Sequence, residues 1–161
     1  MSDVTFQALA ETELDAVHRY LVLLTGDRSA AEDLTAETFE RAFRKWRRFD
    51  PRRGTPRAWL CSIARGLALD HFRSEHRRRR REERYAQGMR QFDDDVWGEG
   101  LVAYALRDLS PAEREVVALR ILLDLDGPTT ARLLHISESA CSTRLSRALK
   151  RLEGLMTDVH V

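Results

Sequence analysis

Long apolar runs are missing from this chain. None approaches the ~20 residues that a membrane-spanning helix needs, so no membrane insertion is expected. The N-terminus has no signal-peptide pattern, and the expected location is the cytoplasm. Cysteine is scarce: Cys61 and Cys141 are the two in the sequence, far apart and in no CxxC pair. That excludes a disulfide scaffold and a cysteine zinc site, and each thiol reads as a buried small side chain. The five histidines form no HExxH or similar ligand pattern. A glycine-rich phosphate loop and a nucleophile motif are also lacking. Catalysis, a metal and a cofactor are therefore not expected. With 8 glycines, 4 prolines and no run of alternating β-branched residues, the sheet signals are absent too. Across 161 residues, with 43% hydrophobic and 33% charged residues, what is left is an all-α protein. The length allows one domain with a real core or two small ones.

Lysine is nearly absent as well, and arginine supplies 25 of the 27 basic residues. The net charge of +1 hides a strong sorting along the chain. Residues 1–40 sum to −7, 41–81 to +12, 82–100 to −4 and 101–161 to zero. A basic block between acidic ones points to an anionic partner, with nucleic acid first. Arginine's planar fork suits phosphates and guanine edges.

The basic block centres on Thr55 to Arg81. Thr55 can cap a helix, and Pro56 fits its first position. Leu60, Ile63, Ala64 and Leu67 make an apolar face that Trp59 broadens. The opposite stripe carries Arg65, Leu69, Arg73 and Arg77, with Gly66 and Asp70 beside it, and the helix closes on five consecutive arginines. Before it, Leu14, Val17, Leu21 and Leu24 predict a helix over 13–25 that Gly26 stops. Ser29 and Glu32 form a capping-box pattern for a second helix running to about Arg48. Asp33, Glu37 and Glu40 make its first half acidic, whereas Arg41, Arg44, Lys45, Arg47 and Arg48 make its second half basic. This order matches the helix dipole. Leu34, Thr38, Ala42 and Trp46 lie near one stripe, with Phe39 and Phe43 beside it; aromatics next to acids also suit a protein-docking face. FDPRRGTP, residues 49–56, breaks the helix. It reads either as a tight connector or as a loop presenting Arg52 and Arg53.

Residues 82–100 lack a sustained period and read as a linker. A second helical unit starts near Leu101. Ser110, Pro111 and Glu113 combine an N-cap, a first-turn proline and a capping box. Val116, Val117, Leu119, Ile121 and Leu122 follow, and LDLDG turns the chain. Pro128 to Leu134 predicts a short helix, and HIS a turn. Ser137 or Ser139 starts a last helix running to about Met156. Its stripe includes Cys141, Leu145, Ala148, Leu149 and Leu152; its other side carries Ser139, Ser142, Thr143, Arg144, Arg147, Lys150 and Arg151. A short helix, a tight turn and a longer helix with hydroxyls and arginines early on it form the helix-turn-helix pattern.

Two such units in this order resemble bacterial RNA polymerase sigma factors of the extracytoplasmic-function class. AAEDLTAETFERAFRKWRRFD followed by TPRAWLCSIARGLALDHFR resembles their second domain. LRDLSPAEREVVALRILLDL followed by ARLLHISESACSTRLSRALKRL resembles their fourth. The resemblance implies sigma domain 2 over 1–81, a flexible linker over 82–100 and sigma domain 4 over 101–161. It implies that core RNA polymerase is the partner, through its β′ clamp coiled coil and β subunit. Asp33, Leu34, Glu37, Phe39 and Phe43 are the positions it assigns to that docking. Arg52, Arg53, Trp59, Arg65, Asp70, Arg73 and Arg77 fall in the part that reads and melts the −10 promoter element, although Trp59 also suits the core. Ser139, Ser142, Thr143 and Arg144 would meet base edges of the −35 element, and Arg147 and Lys150 its phosphates. An anti-sigma factor is usual in the family.

The chain departs from the family pattern at four places. Gly66 stands where asparagine is frequent and His135 where glycine is frequent. Thr130 replaces an aliphatic residue, and Pro128 alters the start of the short helix. Two other functions remain to be separated from this one. A helix-turn-helix repressor would need a dimer and a palindromic site, and it leaves the first unit unexplained. A sigma-like interaction protein without promoter activity would bind polymerase and yield no transcript.

Overall fold

The computed structural model describes residues 2–82 and 101–158. Among them every regular element is helical. The first unit holds α1 (Ser2–Thr25), α2 (Arg28–Lys45), a 3₁₀ turn (Trp46–Arg48) and α3 (Pro56–Glu82). The second holds α4 (Leu101–Asp108), α5 (Pro111–Val117), a π turn (Ala118–Leu122), α6 (Gly127–Leu134) and α7 (Glu138–Asp158). The linker expectation over 82–100 falls, apart from Glu82, outside the described residues.

In the first unit the three helices pack pairwise on one another. Val17, Tyr20 and Leu21 of α1, Ala31 and Ala42 of α2, and Leu60, Cys61, Ala64 and Ala68 of α3 are fully buried there. Their three- and four-residue spacing is what lets each helix bury one stripe. Gly26 takes a positive φ of 67° and its N–H donates to the Val22 carbonyl, which ends α1. Helix α1 begins well before residue 13, so Phe6, which the apolar spacing did not select, joins the core. Leu14, placed on the apolar face from its spacing, is instead 47% exposed. Helix α2 starts at Arg28 on an Asp27 cap whose carboxylate accepts from the Ala30 N–H at 3.2 Å. Asp27 precedes the Ser29 and Glu32 pair and takes the role expected of Ser29. The Thr55 cap of α3 is in place: its hydroxyl accepts from the Ala58 N–H at 3.1 Å. At about 1.5 Å per residue the 27 residues of α3 run roughly 40 Å.

The second unit is built around α5 and α7, which pack along each other, with α4 and α6 flanking α7. Ser110 caps α5 by accepting from the Glu113 N–H, and its own hydroxyl donates to the Glu113 carboxylate. Arg114 is buried and donates to the carbonyls of Leu106, Arg107 and Leu109. One side chain thus satisfies the open carbonyl end of α4. Asp126 caps α6 and Ser137 caps α7. The turn between them places His135 at φ 57°, ψ 41°, the left-handed position where the family pattern has glycine. Ile136 N–H donates to Ala131 carbonyl and His135 N–H to Arg132 carbonyl, closing the turn. Leu149, Ile121 and Leu122, counted among the apolar positions, are exposed by 41–54%.

The two units are in contact. Helix α1 packs on α5 and the π turn, and α3 meets α6, so one continuous cluster of buried apolar residues runs through both.

Candidate nucleic-acid interface

The loop that the 3₁₀ turn and α3 bracket forms one wall of an open cleft of about 520 Å³. Arg48, Phe49, Asp50, Arg53, Gly54, Thr55, Ala58, Trp59 and Ser62 line it from the first unit, and Thr129, Arg132 and Leu133 of α6 from the second. Two of the lining residues, Phe49 and Trp59, are aromatic, and Trp46 packs against both from outside the lining. Trp46 and Phe49 stack with ring centroids 5.3 Å apart, and Trp59 lies against both at 5.9 and 5.1 Å. The 3₁₀ turn, closed by the Phe49 N–H donating to the Trp46 carbonyl at 3.1 Å, brings residues 46 and 49 onto one side. Trp59 is half-buried: it packs in the ring cluster and borders the cleft.

The other positions assigned to the strand-reading set divide into three groups. Arg52 and Arg53 are exposed in the loop, with Arg53 on the cleft and Arg52 turned to Asp50 at 3.2 Å. Asp70 and Arg73 pair with each other at 3.1 Å on the open side of α3, and Arg77 is exposed beyond them. Arg65 does not share that open side. Its Nε donates to Glu115 Oε1 of α5 at 2.7 Å, and its side chain is only 17% exposed. The expected outward stripe therefore loses Arg65 in this arrangement, because an acid from the second unit covers it. Gly66, one residue on, has open space where a side chain would stand.

On α2, Asp33 and Glu37 are exposed and share a shallow groove with Glu40, Arg41 and Arg44. Phe43 is 55% exposed and leans on Phe6, ring centroids 5.3 Å apart. Phe39 is half-buried. Leu34 corrects the docking set: it is 6% exposed and belongs to the core, so its side chain supports the helix from beneath. Phe6, 7% exposed, likewise lies in the core and supports Phe43 from beneath.

On α7, Ser139, Ser142 and Thr143 are exposed, Arg144 is half-buried, and Arg147 and Lys150 are exposed. Ser139, Thr143, Arg144 and Arg147 share a shallow depression with Ser110, Ala112 and Glu113. The hydroxyls thus lie in the first two turns of the helix and the cations extend the same side, an arrangement suited to base edges and phosphates.

Two buried ionisable groups sit behind the interface. Burial pushes the Cys61 thiol up to about 12. The Tyr20 hydroxyl is raised well above 10.0, first by burial and then by the neighbouring Glu115 carboxylate. Among the described residues no group of His, Cys, Asp and Glu side chains is arranged to hold a metal ion. No described helix is long and apolar enough to cross a membrane.

Comparison with known proteins matches the sequence to two family models. Residues 9–78 match sigma-70 region 2, and residues 100–152 match sigma-70 region 4. Regions 2 and 4 in tandem define the class, the sigma-70 proteins. The ECF RNA polymerase sigma factor BldN of Streptomyces coelicolor is 36% identical over 160 residues. That match takes in 95% of this chain and 61% of BldN. SigC of Mycobacterium tuberculosis, another ECF sigma factor, is 32% identical over 88% of this chain and 78% of its own length. In fold, the sigma factor RpoE of Bartonella quintana, solved with the anti-sigma factor NepR, superposes with a TM-score of 0.79 at 22% identity. That superposition spans 95% of this chain and 97% of RpoE. The chain belongs to the ECF class of RNA polymerase sigma factors. Sigma factors are transcription initiation factors, not enzymes in themselves.

Proposed function

We propose that this chain binds core RNA polymerase in the cytoplasm and directs it to promoters by reading a −10 and a −35 element, with no catalysis of its own. The first unit, residues 1–81, docks on polymerase and melts the −10 element. Residues 82–100 link it to the second unit, 101–161, which reads the −35 element in duplex. The observation that carries this reading is the pairing, in one chain of this family, of an aromatic, arginine-rimmed cleft with a helix-turn-helix. Melted strands are held by stacking surfaces and cations, which the cleft supplies as Trp59, Phe49, Arg48 and Arg53. Duplex is read by a helix laid in the major groove, which α7 supplies.

The exposed face of α2 supports the docking role. Asp33 and Glu37 offer acids and Phe43 an exposed ring, so the partner surface is basic with an apolar patch, as the β′ clamp coiled coil would be. Neither DNA-reading unit has to bind tightly alone, because tethering both to polymerase raises their effective concentration at one promoter. An anti-sigma factor, of the kind bound to the Bartonella relative, is the further partner we infer for this chain.

Gel filtration of the chain mixed with core polymerase at low salt tests the reading. Co-elution with polymerase is expected. A free dimer that ignores polymerase and binds a palindromic duplex would favour the repressor reading instead.

A further inference from the structure

We propose that the cleft lined by both units is a binding site for a free nucleoside diphosphate, its base stacked on the Phe49–Trp59 ring pair and its phosphates held by Arg48, Arg53 and Arg132. This goes beyond the strand-reading role proposed above, which uses the wall of the first unit alone.

Cations gather in this cleft without counterions. Elsewhere arginines beside acids pair with them: Arg57 with Glu13 at 2.6 Å, Arg65 with Glu115 at 2.7 Å and Arg73 with Asp70 at 3.1 Å. The guanidiniums of Arg48 and Arg53 pair with no carboxylate among the described residues. Asp50 is the acid in the lining, and its Oδ1 is already engaged. It accepts from the Arg52 Nε at 3.2 Å and from the Arg52 backbone N–H at 3.0 Å. Arg132 enters from α6, where its Nη2 reaches the Thr129 hydroxyl at 3.5 Å. Three lining cations against one engaged acid attract an anion, and low-dielectric walls concentrate that field.

The remaining chemistry narrows the anion to one that carries a flat ring. Phe49 and Trp59 lie 5.1 Å apart and border the cleft half-buried, which leaves ring surface for a base to stack on. The cleft volume of about 520 Å³ falls within the ~300–1,000 Å³ of small-molecule sites. The Thr55 hydroxyl accepts from the Ala58 N–H at 3.1 Å, so its own proton is left for a ribose or phosphate oxygen. Gly54 brings bare backbone to the lining, with open space where a side chain would stand. The number of cations favours a diphosphate over a single phosphate, because each guanidinium takes phosphate oxygens as a two-pronged donor. A bound nucleotide and a melted strand would compete for the same ring pair, which makes nucleotide concentration an input to the chain. That consequence rests on the strand-reading role; the site itself does not.

Isothermal titration calorimetry of the full-length chain, at low salt and without divalent ions, tests the site. The probes are ADP, GDP, adenosine and inorganic pyrophosphate. ADP or GDP is expected to bind, with adenosine and pyrophosphate each at least about tenfold weaker, since each lacks one half of the recognised group. Arg132→Ala and Arg53→Ala are each expected to weaken the nucleotide about tenfold, through loss of one charge-assisted contact. Both side chains belong to exposed residues, and a circular dichroism melt without nucleotide checks that the variants fold. Should Arg132→Ala melt early, Arg132→Gln, which keeps the reach to Thr129, takes its place. Absence of heat from both nucleotides at ~1 mM overturns the proposal. Pyrophosphate that binds as tightly as ADP also overturns it, since the cleft would then be only a basic patch. So does a folded Arg132 variant that binds ADP as wild type does, because the nucleotide would then touch the first unit alone. Polymerase binding is a separate result. A chain that binds ADP and ignores polymerase refutes the proposed function and leaves this site standing; a chain that joins polymerase and initiates but binds no nucleotide does the reverse.

Discussion

The two units present their chemistry in opposite ways. In the second, the hydroxyls of Ser139, Ser142 and Thr143 stand exposed at the start of α7. In the first, Arg65 is held by Glu115, and α6 closes one side of the aromatic cleft. The face proposed to read duplex is open, and the face proposed to read a melted strand is partly covered. That difference fits what each proposed ligand requires. Duplex offers its major-groove edges without being melted, so a rigid exposed helix suffices. A melted strand exists only after polymerase has engaged, and an aromatic, arginine-rich surface left open before then would bind any single strand nearby.

The largest effects should separate the two units by function. Phe43→Ala is expected to reduce co-elution with core polymerase, with the thermal melt close to wild type because the ring is half in solvent. Arg144→Ala is expected to leave co-elution intact and to lower −35-dependent initiation, by roughly tenfold if one base contact worth 1–3 kcal/mol is lost. Equal loss of both activities in either variant would erase the contrast between the units.

Stability separates the units in a second way. Arg114→Met removes the donor that satisfies three carbonyls at the end of α4, and should cost about 3 kcal/mol in urea denaturation. The first unit has a different sensitivity, to alkali. Its Cys61 thiol is raised from 9.0 to about 12 in the fold, and Tyr20 is raised above 10.0. Both groups are neutral when protonated. Below pH 9.0 folded and unfolded chains both hold these protons, and stability does not change on their account. Between 9.0 and about 12 the unfolded chain releases the Cys61 proton while the folded chain keeps it, so stability falls as pH rises. Tyr20 adds a loss of the same sign above 10.0. A urea midpoint followed upward from pH 8 checks this, and a midpoint that does not decline would contradict it.

The smallest effect is at Gly66. A methyl group there meets nothing within 4 Å, so Gly66→Ala should stabilise α3 by about 0.5–1 kcal/mol. A destabilised variant would mean that the helix is bent or contacted at that point in solution.

Most of the helices were legible in the sequence, because each buries one stripe and punctuates its ends with local chemistry. Thr55 and Pro56, Ser110 and Pro111, and the hydroxyl of Ser137 announce helix starts from neighbours within three residues. His135 shows the same thing at a helix end, where the left-handed turn sits at the position that the family pattern gives to glycine. What the spacing did not reveal was tertiary. The apolar spacing does not lead back to Phe6 because the buried stripe of α1 passes through Glu13, which pairs with Arg57 and breaks the apolar pattern between Phe6 and Val17. Leu34 was assigned to a surface and lies in the core, since a resemblance gives positions in a chain and not which way each side chain turns. The same holds for Arg65. Its stripe on α3 reads as solvent-facing, and only the placement of α5 reveals Glu115 beside it. No local pattern connects residue 65 to residue 115.

Run-off transcription with holoenzyme reconstituted from core polymerase and this chain tests the central claim most directly. Templates taken from a genome-wide map of its binding sites supply the promoter. The account predicts a discrete transcript that requires the chain and that fades when either the −10 or the −35 element is scrambled. Polymerase that binds the chain and yields no transcript on any mapped site would contradict it.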